Sequence, residues 1–261
     1  MSRHIEIAGD RHLETLGNCG GYYECPKGPD GRRLGPLVGY AGKYQAPDGT
    51  QKQWVGEVYA NFAMAETHPH VLKFFAGCLA MRLDQRISLM NIDALVGAPI
   101  GGYSLADALG FFSLGMDVQV IKAEKKVVAL ATPDSREKSQ LAFVRHSVEK
   151  GLRYVWVEDV CNNFSTTAEG LNLIYQADGE VVAIACFLNR SPIVNDAYSF
   201  TSLTSDEVKA LRLPVVSVVR KVINEWKQDD PAVAEDVAAG NVVWKPKNEW
   251  DRLMQAMQSA R

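Results

Sequence analysis

The 261-residue sequence contains few cysteines, no excess of basic residues and no long uninterrupted apolar run. Its five cysteines are an odd number scattered along the chain, which argues against a disulfide framework in a protein of this length. The net charge of −3 and the lack of a basic run argue against a nucleic-acid surface and favour a small-molecule ligand. No segment approaches about 18 consecutive apolar residues and the first residues lack an apolar signal core, so we expect a cytoplasmic protein without membrane contact.

With 47% hydrophobic residues, the chain can build one sizeable core. Residues 1–65 are rich in Gly, Pro and Tyr, and turn signals such as Pro47–Gly49 separate short strand-like pieces, which predicts a small antiparallel β hood. From Glu66 to Met90 apolar residues recur at helical spacing. We expect this helix to open a core domain, residues 66–261, that ends in a helical tail.

One stretch, residues 154–166, carries the clearest chemical signal. Four apolar residues typical of a buried parallel strand precede Glu158 and Asp159, and Thr166–Glu169 has the pattern of a capping box that begins a helix. The two acids therefore lie at the carboxyl end of a strand, where open α/β sheets bind ligands. The loop after them offers backbone N–H groups and a helix N-terminus to a phosphate. A ribose 5-phosphate, with its cis-diol and phosphate, fits this arrangement.

A second stretch, residues 94–110, consists of a short apolar strand, a tight turn and a helix. In such a turn the backbone N–H groups can approach a phosphate closely. The turn comprises Ala98, Pro99, Ile100, Gly101 and Gly102.

Together and in this order, the two stretches resemble the type I phosphoribosyltransferases, which use 5-phosphoribosyl 1-pyrophosphate (PRPP). The resemblance implies an α/β fold with a central, mostly parallel sheet flanked by helices and an N-terminal β hood. It also implies that Glu158 and Asp159 hold the ribose hydroxyls, that the turn holds pyrophosphate, often through a cis peptide, and that the 5-phosphate is held by Asn162, Asn163, Phe164, Ser165 and Thr166. Phe164 stands where the family usually has Gly, and we expect the two Asn residues to supply the missing backbone freedom.

The segment Lys122–Lys126 resembles the lysine-rich segment of orotate phosphoribosyltransferases. The resemblance implies that Lys122 contacts pyrophosphate and that Lys126, on a mobile loop, balances the charge of the leaving pyrophosphate, often in a neighbouring subunit's site. Ala123 replaces a family Lys. The stretch that follows, residues 129–150, would form the lid. A solvated run of charges is the alternative interpretation of these lysines.

Three residues are candidates for binding the nucleobase. Arg190 follows an apolar strand and matches the family Arg that binds the orotate carboxylate, although Asn189 replaces the Asp before it. Tyr40 and Asn61 lie in a hood segment that resembles the one over the nucleobase. A surface or ion-pairing role for Arg190 and an ordinary hairpin around Tyr40 remain the alternatives.

The resemblance implies an enzyme that transfers the phosphoribosyl group of PRPP to a nucleobase, most closely orotate, and releases pyrophosphate. It implies Mg²⁺ bound through substrate and water, with no direct protein ligand, and a homodimer. The alternative function is a PRPP- or nucleotide-binding regulator with the same fold, and a third is a transferase for another base. Cys19 and Cys25 could be half of a metal site, and Cys161 could be a nucleophile or a small buried residue.

Overall fold

The computed structural model describes residues 10–111, 118–129, 138–203 and 208–259. The helices in these ranges are α1 Arg11–Asn18, α2 Ala63–Glu66, α3 Pro69–Ile87, α4 Gly102–Leu109, α5 Ser165–Gln176, α6 Ala234–Ala238 and α7 Trp250–Ser259. The strands are β1 Tyr22–Glu24, β2 Leu37–Gln45, β3 Gln51–Gly56, β4 Val58–Ala60, β5 Ala94–Gly97, β6 Gln119–Lys122, β7 Glu124–Ala129, β8 Lys138–Ala142, β9 Arg153–Cys161, β10 Glu180–Asn189, β11 Ala197–Leu203, β12 Val208–Arg220 and β13 Val242–Val243.

The chain forms two compact units. The core unit is Ala65–Lys221, and the hood unit combines Met1–Met64 with Val222–Arg261. The first division falls between Met64 and Ala65. The C-terminal tail, expected to continue the core domain, groups with the N-terminal residues because β13 pairs with β2 and Trp226 bridges to Val55.

The core unit is built on a sheet with the strand order β11-β12-β10-β9-β5-β6. All neighbouring strands in it run parallel except β11, which is antiparallel to β12. The residues of β9 from Tyr154 to Val157 are completely buried, as an apolar run in the middle of a parallel sheet should be. The predicted α/β fold with a mostly parallel central sheet is confirmed.

The predicted long helix is α3, which starts at Pro69 and buries Val71, Phe75, Leu79 and Leu83 along one face. Pro69 occupies the first turn, where its missing N–H costs no hydrogen bond. Within the described residues, no helix is long and apolar enough to cross a lipid bilayer.

The hood unit contains small sheets, as predicted. β2 and β3 form an antiparallel hairpin with β13 parallel to β2, and β1 pairs with β4. The predicted turn at Pro47–Gly49 joins β2 to β3, where Asp48 accepts hydrogen bonds from the backbone and side chain of Thr50 and Gly49 has a φ of +82°. The tail contributes aromatic packing here, since Trp244 lies against Gly39 and Trp250 against Tyr59.

Candidate active site

Both predicted acids lie near the carboxyl end of β9, the strand between β10 and β5. Successive residues of a strand point to opposite faces, so Glu158 and Asp159 have different surroundings. Both residues are partly buried. Burial is the main cause of a raised pKa in both, and it raises the pKa of Glu158 to about 7.

Glu158 lies on the face of β9 that is covered by α5. Its Oε1 accepts hydrogen bonds from Trp156 Nε1 and from Thr167 Oγ1, each at 3.0 Å. These two bonds oppose the effect of burial because they stabilise the charged carboxylate, whereas the charge of Asp159 raises the pKa of Glu158 further.

Asp159 lies against the Gly/Pro turn. A Cβ atom at Gly101 would overlap the Asp159 carboxylate, so only glycine allows the turn to approach this closely. Gly102 is similarly close to the Val157 carbonyl. The structure thus brings together two stretches that are about sixty residues apart in sequence.

The turn itself connects β5 to α4 over Ala98–Gly102. Ala98 is buried and donates its N–H to the Val157 carbonyl at 2.9 Å, which anchors the turn to β9. The Pro99–Ile100 peptide bond is cis, within the residues where the resemblance implies such a bond. The Ile100 side chain is exposed, and Gly102 begins α4. Within the turn, exposure thus falls from Ile100 to the buried Gly102.

The loop from Asn162 to Thr166 connects β9 to α5. Its left-handed residue is Phe164, with φ 58° and ψ 17°, while Asn162 and Asn163 do not have positive φ. The expectation that the two Asn residues replace the family glycine is therefore wrong. Asn163 has a different role, because its side-chain oxygen accepts hydrogen bonds from the N–H and hydroxyl of Ser165.

Phe164 tolerates this conformation because its ring has a packing partner. The side chain is buried and stacks on Tyr198 of β11, with ring centroids 4.8 Å apart and an interplanar angle of 14°. A non-glycine residue in the left-handed region is uncommon, and stacking of this kind offsets its cost. This stacking packs the loop against β11.

The predicted capping box at Thr166–Glu169 is wrong. The N-cap is Phe164, two residues before Thr166, so helix α5 begins at Ser165, and Phe164 makes no side-chain hydrogen bond to cap it. The Glu169 carboxylate is directed elsewhere and accepts the Leu141 N–H of β8 at 2.6 Å. The Glu169 carboxylate thus binds a strand from a distant part of the chain and not the N-terminus of its own helix.

The lysine segment divides between β6 and β7. The Lys122 ammonium forms an ion pair with Asp107 of α4 at 2.7 Å and lies 5.5 Å from the centre of the Tyr103 ring. Lys126 is exposed on β7, in a hairpin with β8. Most of the predicted lid, residues 130–137, lies outside the described residues.

Sequence reasoning missed three residues that act on Glu158. Trp156 and Thr167 donate to it, and the charge of Lys125 lowers its pKa. Trp156 could have been recognised, since it lies two residues before the acid and therefore on the same face of the strand. Thr167 and Lys125 depend on the positions of α5 and β7, which no local pattern specifies.

Arg190 follows β10, in a loop held by its neighbours. Asn189 is fully buried, donates to the carbonyls of Val194 and Asn195, and accepts the Ser191 N–H. Arg220 of β12 adds three hydrogen bonds to the same loop, including one of 2.6 Å to the Ser191 carbonyl. An Asp at position 189 could not donate these bonds, so Asn189 orders the loop that carries Arg190.

Tyr40 and Asn61 belong to the hood unit, apart from the residues above. Tyr40 is buried and its hydroxyl donates to the Val58 carbonyl at 2.7 Å, while its ring lies against Gly56. The Asn61 N–H donates to the Gly21 carbonyl. Both residues thus have structural contacts inside the hood unit, and their role in base binding stays a prediction.

The cysteines are free thiols. Cys25 is buried and donates to the Gly35 carbonyl, and the described residues contain no cluster of three or more His, Cys, Asp or Glu side chains. Cys161 is also buried, close to Cys186, and this surrounding raises its pKa. A raised pKa keeps the thiol protonated, which favours the packing role for Cys161 over a nucleophile.

No family model matches the sequence. Among curated proteins, the transcriptional regulator GfcR of Methanocella arvoryzae is 29% identical over 124 residues, which cover 46% of this chain and 58% of the regulator. The orotate phosphoribosyltransferase of Bartonella henselae is 27% identical over 165 residues, covering 58% of this chain and 76% of that enzyme. The match therefore spans less than two thirds of the regulator's length.

Solved structures of similar fold include orotate phosphoribosyltransferase from Aeropyrum pernix, at 15% identity and a TM-score of 0.47 over 80% of this chain and 92% of that one. Adenine phosphoribosyltransferase from Rhodothermus marinus has 18% identity and a TM-score of 0.45 over 80% of this chain and 98% of that one. The paired acids at the end of a central parallel strand and the adjacent Gly/Pro turn agree with the curated matches, and together they show a distant similarity of this chain to the type I phosphoribosyltransferases.

Proposed function

We propose that this protein transfers the 5-phosphoribosyl group of PRPP to a nucleobase, most favourably orotate, and releases pyrophosphate. The observation that carries the proposal is the contact between Asp159 and Gly101. It joins the acids expected to hold the ribose hydroxyls to the turn expected to hold the pyrophosphate. PRPP carries these two groups on neighbouring carbons, so a site for it requires this adjacency.

The proposed mechanism is displacement of pyrophosphate from C1 of the ribose by a nucleobase nitrogen. Glu158 and Asp159 orient the ribose, the Asn162–Thr166 loop and the N-terminus of α5 hold the 5-phosphate, and Ala98–Gly102 holds the pyrophosphate. Positive charge develops on the ribose in the transition state, and the two acids are suited to stabilise it. Lys126 balances the negative charge on the departing pyrophosphate.

Orotate is the preferred base because Arg190 can form a forked pair with its carboxylate. The similarity to a curated orotate phosphoribosyltransferase supports the same choice. The order that Asn189 and Arg220 impose on the Arg190 loop also suits a fixed base-binding residue.

Magnesium fits this site as a substrate-bound ion. The described residues offer two adjacent acids but no larger cluster of metal-binding side chains, so the donor set suits an ion held mainly by substrate oxygens and water. When bound, Mg²⁺ would neutralise part of the pyrophosphate charge.

A second candidate is a regulator that binds PRPP or a nucleotide without turning it over. The similarity to a curated transcriptional regulator favours it, and so do the family residues lost at Phe164 and Ala123. Retention of both acids favours the enzyme, because binding of a phosphate alone would not require a pair of carboxylates.

Pyrophosphate release distinguishes the two candidates. We would measure it with PRPP and Mg²⁺ across orotate, uracil, purines and nicotinate, using Asp159→Asn as the test variant and the exposed Asp196→Asn as the control. Release with orotate that is abolished only by Asp159→Asn is the expected result. Release with another base would keep the reaction and replace the substrate. Calorimetric binding of PRPP without release from any base would establish the regulator, and unchanged turnover in Asp159→Asn would overturn the site.

A further inference from the structure

The Glu158 carboxylate is held asymmetrically. Both of its side-chain donors, Trp156 Nε1 and Thr167 Oγ1, bind the same oxygen, Oε1, at 3.0 Å. Trp156 is completely buried and Thr167 is 2% exposed, so neither donor can exchange its partner for bulk water. Losing the acceptor would leave two buried donors unsatisfied, which is costly.

The positions of the two donors are fixed by the packing of β9 on α5. Trp156 and Glu158 share a face of the strand because they are two residues apart. The outer edge of the indole ring lies against Gly170 of α5, where any Cβ would overlap it. Thr167 lies three residues before Gly170, on the same side of the helix. The strand and the helix therefore approach Glu158 from two directions.

Among the described residues, both side-chain donors to Glu158 bind Oε1 and fill its lone pairs, so Oε2 is the oxygen left to accept from a ligand. A single free oxygen with a fixed direction suits one hydroxyl of a diol. Asp159, on the opposite face and against Gly101, has a different set of neighbours. The two acids thus have different hydrogen-bond partners: Glu158 accepts from two side chains, whereas Asp159 accepts from backbone groups.

We propose that Trp156 and Thr167 are positioning residues that hold Glu158 as a carboxylate with Oε2 directed to a ribose hydroxyl of PRPP. The identity of the ligand rests on the proposed function, whereas the positioning of the carboxylate does not. Among the described residues, the other charged or titratable groups that interact electrostatically with Glu158 are Asp159 on the opposite face of the strand, Lys125 on β7 and the Cys161 thiol.

The matched variants are Thr167→Val, which removes the donor but keeps the shape, and Thr167→Ser, which restores the hydroxyl. Trp156→Phe tests the second donor. Two quantities are measured: the titration of Glu158, by NMR of protein with ¹³C-labelled glutamate carboxyls, and the PRPP affinity in the presence of Mg²⁺ between pH 6 and pH 9, by calorimetry.

Thr167→Val is expected to raise the Glu158 midpoint by about one pH unit, since a hydrogen bond to a charged group is lost. At pH 7 the ionised fraction then falls from about one half to about one tenth, so PRPP binds about fivefold more weakly at that pH, and the affinity is nearly restored at pH 9. Thr167→Ser is expected to match the unaltered protein, and Trp156→Phe to shift both quantities in the direction of Thr167→Val.

An unchanged midpoint in both Thr167→Val and Trp156→Phe, with native NMR spectra, would overturn the proposal. A shifted midpoint with an unshifted pH dependence of PRPP affinity would overturn the role of Glu158 toward the ribose. If the unaltered protein binds no PRPP at any pH while the midpoint still shifts, the proposed function fails and the positioning of the carboxylate is retained.

Discussion

Glu158 is a residue whose ionisation the fold opposes. Burial raises its pKa from 4.5 to about 7, so the folded protein holds this proton more tightly than the unfolded chain does. Below about pH 4.5 the residue is protonated in both states and costs nothing. Between about pH 4.5 and pH 7 the unfolded chain loses this proton while the folded protein keeps it, so the free energy of unfolding falls over that range and stays at the lower value above it. A residue retained at such a cost is expected to act on a ligand.

Glu158→Gln should therefore stabilise the protein at high pH. Its amide oxygen can still accept from Trp156 and Thr167, while the buried charge is gone. The gain in the free energy of unfolding should reach up to about 3 kcal/mol at pH 8 and be close to zero at pH 4, measured by urea denaturation. The exposed Glu180→Gln is the control, and an equal effect of Glu158→Gln at both pH values would contradict the argument.

At the scale of one element, the left-handed position in the loop between β9 and α5 is occupied by Phe164, whose ring stacks on Tyr198, and not by a glycine. Phe164 has a left-handed backbone, which favours glycine, and a buried ring, which favours phenylalanine. The backbone and the ring contribute separately to the free energy of unfolding, and mutation can separate them. Glycine and alanine both remove the ring, but only alanine has a side chain that makes the left-handed backbone unfavourable.

Phe164→Ala is expected to lower the free energy of unfolding by about 3–5 kcal/mol, the usual cost of deleting a buried phenylalanine side chain. Phe164→Gly loses the same ring but relieves the backbone, so it should be more stable than Phe164→Ala by about 1 kcal/mol. Chemical denaturation of the two variants and of Tyr198→Leu would measure this. Equal stability of the Ala and Gly variants would show that the loop relaxes away from the left-handed conformation.

What could be predicted from sequence at this scale depended on how local the cause is. The apolar run before Glu158 predicted β9 because a strand buried on both faces needs no other information. The start of α5 was mispredicted because Glu169 binds Leu141, a residue 28 positions away. The role of Arg220 could not be predicted from sequence, because its contact with Asn189 also joins distant residues and depends on the register of β10 against β12. The strand that carries the two candidate acids was therefore easier to predict than the contacts that support the site.

At the scale of the whole molecule, Lys126 connects the proposed chemistry to assembly. It is exposed on the β7–β8 hairpin, and the resemblance implies that it acts in a neighbouring subunit's site. In that arrangement, a homodimer would build each site from two chains. A dimer of two differently defective chains would then contain one complete site.

Mixing Lys126→Ala with Asp159→Asn tests this directly. Each variant alone should be nearly inactive, and random reassociation after mild dissociation should restore about a quarter of the activity of the unaltered protein, since half the dimers are mixed and half of their sites are complete. Sedimentation would establish the dimer. No recovery from a mixture shown to contain mixed dimers would place Lys126 in its own subunit's site.

Because β2 pairs with β13, the sheet that contains β2 can be completed only late in synthesis. Leu37 and Val38 emerge from the ribosome early, but their partners Val242 and Val243 follow about two hundred residues later. At typical synthesis rates this leaves β2 without that neighbour for roughly 10 to 40 s. All of Ala65–Lys221 is synthesised during this interval and precedes β13 out of the ribosome. The candidate catalytic half can therefore fold on the nascent chain before the hood is complete, and a chain cut short before β13 would carry the paired acids together with an incomplete hood sheet.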